Sequence, residues 1–219
     1  MNTNRQWLLA KRPHGLVGEE NFTYVENPIP EPGEGEVLVR NLYLSFDPTQ
    51  RGWMEDRESY LPPVALGEPM RAGSVGQVVT SHHADFEAGD LVQTTGGWQD
   101  FVVVSPATSV MGLTKIPAGI TPEMMMSVLG ITGLTAYWGL LDLGMPKAGE
   151  TVLVSGAAGA TGSIAGQIAK IKGASVVGIA GGAQKCGWLK EELGFDAVSY
   201  THLRAHETQE VISYAVFCL

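Results

Sequence analysis

The chain has 219 residues, 44% of them apolar, and a formal net charge of −9, enough for one large core or two smaller ones. An acidic balance without a basic stripe argues against nucleic acid as a partner, and no apolar run approaches the roughly eighteen residues of a membrane span. The first residues, Met1 to Gln6, lack the apolar core of a signal peptide, so a cytoplasmic protein is expected, and two cysteines, Cys186 and Cys218, make neither a disulfide framework nor a structural zinc lobe.

From Trp7 to about Ala107 the pattern predicts β structure throughout. Val37 to Leu44 is a long apolar-rich strand, introduced by the turn Glu31 to Glu36. Further strands are expected at Gly73 to Thr80, Leu91 to Thr94 and Phe101 to Val104, with turn signals such as Glu87 to Asp90 between them. Short strands with Gly-rich connections suggest a small barrel-like domain. His82 and His83 lie in a polar turn without nearby cysteines or paired carboxylates. Adjacent side chains in a turn diverge, so no metal is expected there.

The period then changes. Thr121, Pro122 and Glu123 read as a helix cap, a first-turn proline and an early acid, with Met124 to Leu129 continuing the helix. The three methionines Met124 to Met126 are expected to fill irregular core space. Gly130 and Gly133 interrupt, and a second helix is expected from about Leu134 to Leu143, ending at Gly144. The domain boundary is expected near Gly119, giving units of 1–119 and 120–197.

Thr151 to Ser155 is short, β-branched and apolar, as expected of a strand covered on both faces in a parallel sheet. Gly156 to Gly162 follows as a glycine-rich turn, in which Gly159 and Gly162 are the last two glycines of a dinucleotide fingerprint and Ala157 stands in for the first. The segment Ser163 to Lys172 places Ile164, Ile168 and Ile171 on one helix face, and Gly173 ends it. A second parallel strand is expected at Val176 to Ile179, followed by a helix from Gln184 to Leu193. Such a turn offers free amides and a positive helix end to a pyrophosphate; its bland alternative is a glycine turn that only packs. An NAD site usually has an acid at the end of the second strand. Gly181 and Gly182 stand there, and Lys185 follows, placed either to meet a 2′-phosphate or simply to open the next helix in solvent. NADPH is therefore the expected cofactor.

Four segments carry a resemblance to a known family: Asn41 to Met54, Gly96 to Phe101, Gly130 to Tyr137 and Gly181 to Cys186. Together they resemble the zinc-free leukotriene B4 12-hydroxydehydrogenase, prostaglandin reductase and curcumin reductase group of the medium-chain dehydrogenase/reductase superfamily. The resemblance implies an α/β chain: a GroES-like β-barrel domain, then the first part of a Rossmann doubly wound domain. It implies NADPH-dependent reduction of the carbon–carbon double bond of α,β-unsaturated ketones and aldehydes, with hydride delivered to the β-carbon and no metal. It assigns Ala158, Gly159, Ala160, Thr161 and Gly162 to the pyrophosphate, Lys185 to the 2′-phosphate and Thr135 to the nicotinamide end. Thr49, Met54 and Tyr60 are assigned to the substrate pocket; many relatives have tyrosine where Thr49 stands. No catalytic residue is named. A small-molecule enone is the expected partner, a quinone or a non-catalytic nucleotide-binding role the alternatives, and a homodimer of the full-length parent fits the resemblance.

The segment Val198 to Thr208 and the segment Ile212 to Leu219 resemble the two translated ends of a transposase-type sequencing-library adapter, in one frame and in order. Residues 198–219 are therefore expected to be non-biological. The nucleotide unit would then stop mid-fold and leave an apolar strand edge open.

Overall fold

The computed structural model describes residues 3–107, 109 and 112–200, together with the backbone of 216–218. The chain forms two compact units, Met1–Met126 and Ser127–Leu219.

In the first unit, β1 (Asn4–Leu9) and β2 (Phe22–Asn27) form an antiparallel pair. β3 (Val37–Leu44) is followed by a short helix, α1 (Thr49–Trp53), and then by β4 (Ser74–Ser81), β5 (Leu91–Thr94), β6 (Phe101–Val104) and β7 (Thr114–Lys115). These five strands make one antiparallel sheet in the order β6-β3-β4-β5-β7. Alternate inward residues, Val37, Val39, Val78, Val92 and Val104, close one core with Leu113, as the two-residue period of a half-buried strand requires. A second cluster joins Leu9, Met54, Val64 and Met70. The strands expected at β3, β5 and β6 are found with those bounds, and β4 lies one residue later than expected. α1 carries no repeated apolar period in its five residues.

The unit ends in α2 (Pro122–Met126), which buries none of its side chains. Met124 is 41% exposed, so the core-filling expectation for the methionines does not hold for it: a helix of five residues is too short to turn a full apolar face inward.

In the second unit, α3 (Ile131–Trp138) starts directly after Gly130 and runs into a π-helical turn over Gly139–Gly144. Gly133 does not interrupt the helix. It sits inside the first turn, where a methyl group would collide with the Val128 carbonyl. β8 (Thr151–Val154), α4 (Ala160–Ile171), β9 (Ser175–Ala180), α5 (Ala183–Glu191) and β10 (Ala197–Tyr200) then alternate. β10, β9 and β8 are parallel neighbours, and β11 (Val216–Cys218) lies antiparallel on the far side of β8. The architecture is thus α/β, an N-terminal β unit followed by part of a Rossmann-like sheet. Of the tail expected to be non-biological, 201–215, 219 and the side chains of 216–218 lie outside the described residues.

α4 keeps only part of its expected apolar face: Ile168 packs against the core. Ser163, Ala165, Gly166 and Ala169 are buried, while Ile171 is 82% exposed. The cause is close packing: a methyl group at Gly166 would run into the Phe195 ring, so the face turned inward is the one with the smallest side chains. The helix also begins three residues before the expected Ser163, because Gly159 serves as its N-cap.

Candidate functional site

The turn between β8 and α4 is built by glycine in three different ways. Gly156 has φ +59°, a left-handed conformation that costs an ordinary side chain about 1–2 kcal/mol. Gly162 is helical, but an added Cβ would lie 2.5 Å from the Gly156 carbonyl oxygen. Gly159, with extended φ and ψ, caps the helix without a side-chain hydrogen bond. The buried Ala157 ties the turn to the second strand, its N–H donating to the Ile179 carbonyl at 3.0 Å.

The result is a helix start whose first amides, those of Ala160, Thr161 and Gly162, have no carbonyl a turn earlier inside the helix to accept them. Ser163 is the first to find one, donating to Gly159 O at 2.9 Å. Ala158 precedes the cap and is half-buried. The five residues assigned to the pyrophosphate are therefore brought together on one turn, with the positive end of a twelve-residue helix behind them.

At the end of β9, Gly182 caps α5 with φ +86° and ψ 137°. A Cβ there would meet nothing within 4 Å, so backbone conformation rather than space excludes other residues. Lys185 is exposed in the first turn of α5 and has no ion-pair partner among the described residues. Thr135 lies on α3, half-buried, with its hydroxyl donating to Ile131 O at 2.6 Å; α3 packs beside α4.

In the first unit the segment Asn41–Met54 and the loop Gly96–Phe101, separate in sequence, form one assembly. The Asn41 side-chain amide donates to Gln99 O at 2.8 Å, and Gly96 leaves no room for a Cβ between Asn41 and Ser74. The Gln99 side chain accepts from Gln6 Nε2 at 2.7 Å and donates to Gly96 O at 2.8 Å. Arg5 donates to both carboxylate oxygens of Asp100, at 2.7 and 2.9 Å, and these bonds hold the Asp100 carboxyl below its ordinary pKa. Thr49 opens α1 and is half-buried, Met54 is enclosed in the Leu9, Val64 and Met70 cluster, and Tyr60 is 71% exposed. The short helix positions these residues through Gln50, whose buried amide donates to Ser45 O at 2.9 Å and to Arg71 O at 3.3 Å.

The model of the N-terminal domain of oxidoreductase matches residues 5–113. NADPH-dependent curcumin reductase of Escherichia coli is 49% identical over 193 residues, 88% of this chain and 55% of that protein. Bovine prostaglandin reductase 1 is 37% identical over 204 residues, 93% of this chain and 60% of that protein. The crystal structure of CurA in complex with NADPH from Vibrio vulnificus superposes with a TM-score of 0.83 at 44% identity, over 91% of this chain and 58% of that one. The chain belongs to the medium-chain dehydrogenase/reductase family.

The chain spans a little over half the length of these medium-chain dehydrogenase/reductase relatives. No helix among the described residues is long and apolar enough to cross a membrane. Among them, too, no group of three or more His, Cys, Asp or Glu side chains is arranged to hold a metal ion. Two polar features of the first unit were not anticipated from sequence: the Gln99 hub and Arg71. Arg71 stands between the buried Met70 and Ala72, and a cation flanked by two core residues is the signal that marks it.

Proposed function

We propose that the whole protein containing this chain is an NADPH-dependent reductase of the carbon–carbon double bond in α,β-unsaturated ketones and aldehydes. The observation that carries the reading is the β8–α4 turn. Gly162 approaches the Gly156 carbonyl too closely for any side chain, leaving a bare backbone cradle at a helix N-terminus that fits a pyrophosphate. Ala158, Gly159, Ala160, Thr161 and Gly162 would hold it, Lys185 the 2′-phosphate, and Thr135 the nicotinamide end. Bound there, the cofactor supplies hydride. Thr49, Met54 and Tyr60 would wall the substrate pocket, the first leaving more room than the tyrosine of many relatives. The names of the relatives, curcumin reductase and prostaglandin reductase, support the enone class. A cytoplasmic location and a homodimer belong to the same reading.

NADPH oxidation by the whole protein, followed with benzalacetone and with a quinone, tests it. Turnover of the enone with reduction of its double bond is expected. Turnover of the quinone alone moves the protein to quinone reduction, and NADPH binding without turnover of either leaves a binding protein.

A further inference from the structure

The first unit contains a cation that its fold does not neutralise. Arg71 is half-buried, donates one N–H to the Pro62 carbonyl at 2.9 Å and lies 5.3 Å over the Trp53 ring. Arg5, Arg51 and Arg57 each have a carboxylate within 2.9 Å; Arg71 has none within ion-pair distance among the described residues. Burial lowers its pKa from the ordinary arginine value, the sign expected of a charge drawn out of water without a counter-charge.

Two residues that touch it stand next in sequence to residues assigned to the substrate pocket. Trp53 precedes Met54, the Gln50 bonded to the Arg71 carbonyl follows Thr49, and Tyr60 is near enough to act electrostatically on the guanidinium. Arg71 also lines a cavity of about 400 Å³, with Val64, Glu68, Thr95 and Gly96 among the other walls, a volume within the range of small-molecule sites. In that wall the Thr95 hydroxyl is buried and has no hydrogen-bond partner among the described residues. A buried hydroxyl without a partner is costly unless something else supplies one.

We infer that Arg71, with Thr95, forms a carboxylate-binding subsite, so that the preferred substrates carry a carboxylate in addition to the enone. This rests on the reductase reading above. The planar guanidinium can take a carboxylate through two parallel bonds, and its stacking on Trp53 fixes the plane in advance. The enclosed Thr95 hydroxyl supplies a further donor once it turns about its Cα–Cβ bond toward the cavity. Glu68, the one acid in the cavity wall, opposes a doubly charged group, which favours a carboxylate over a phosphate monoester.

The test compares benzalacetone with its para-carboxy derivative. By equilibrium titration the acid is expected to bind this chain about tenfold more tightly than the neutral ketone, the low end of a charged hydrogen bond at a partly exposed site. In the whole protein the same advantage should appear in KM. In Arg71→Gln the ratio of the two affinities should collapse toward one; Arg71→Lys should keep part of it, and Thr95→Val should reduce it. Should Arg71→Gln fail to fold, Arg71→Lys, Thr95→Val and the loss of the advantage at high salt decide. Equal affinities in the parent chain, or an advantage unchanged in the folded variants, overturn the subsite. If neither ketone drives NADPH oxidation, the reductase reading fails, and the binding ratio still judges Arg71.

Discussion

The methyl group of Ala157 occupies the space opposite Gly178: a Cβ added to Gly178 would lie 3.0 Å from the Ala157 Cβ. The commonest fingerprint has glycine where Ala157 stands, and here the second strand compensates by having glycine in its middle. The same position also faces Phe195 and Leu189, at 2.9 and 3.2 Å from the added atom, so strand, turn and helix share one small gap.

Gly178→Ala should therefore destabilise the second unit by about 1–3 kcal/mol, the usual cost of overpacking a filled core, although alanine suits a strand no worse than glycine. Ala157→Gly should relieve part of that cost when combined with it. Denaturant unfolding of the two single variants and the double variant measures the coupling. Simple additivity would show that the two sites do not share the gap.

Gly182 bears on cofactor choice. Placing an acid there to make an NAD-type site, Gly182→Asp, should lower stability by about 1–3 kcal/mol, because φ +86° with ψ 137° is hardly accessible to a side-chain-bearing residue. The variant should not gain NADH affinity in proportion. Lys185→Ala should weaken NADPH binding about tenfold, as loss of a charge-assisted bond does, with NADH unaffected. Fluorescence titration with both cofactors checks this, and equal losses for both would show that Lys185 does not read the 2′-phosphate.

The strands β3, β5 and β6 were legible because alternating or continuous apolar runs are bounded by turn residues, and the β8–α4–β9 unit because glycine spacing and two apolar strands agree. What was not legible depends on contacts distant in sequence. Asn41 and Gln99 bond across 58 positions, which no local pattern reports. On α4 hydrophobicity points to the isoleucines, of which Ile168 packs against the core, whereas the space left by Phe195 draws Gly166 and Ala169 inward as well and leaves Ile171 outside. Arg71 is hard to read from sequence because a single charge between core residues has no period.

Asp100 gives a pH prediction. Its folded pKa is depressed, chiefly by the hydrogen bonds from Arg5, so the pair stabilises the first unit above the unfolded carboxyl value of about 4. That contribution is lost as pH falls through the folded value. Asp100→Asn should lower the melting temperature at neutral pH, and the gap to the parent should narrow below about pH 4. A gap independent of pH would assign the effect to packing rather than to charge.

Gly166 and Ile171 test which face of α4 is inside. In an exposed helix, replacing glycine by alanine stabilises by up to about 1 kcal/mol. At Gly166 the added methyl meets the Phe195 ring, and overpacking of about 1–3 kcal/mol should win, so Gly166→Ala is expected to lower stability. Ile171→Lys should change it by less than about 0.5 kcal/mol, because Ile171 is 82% exposed. Chemical denaturation of both variants decides between the faces. A stabilised Gly166→Ala beside a strongly destabilised Ile171→Lys would return the isoleucine face to the core.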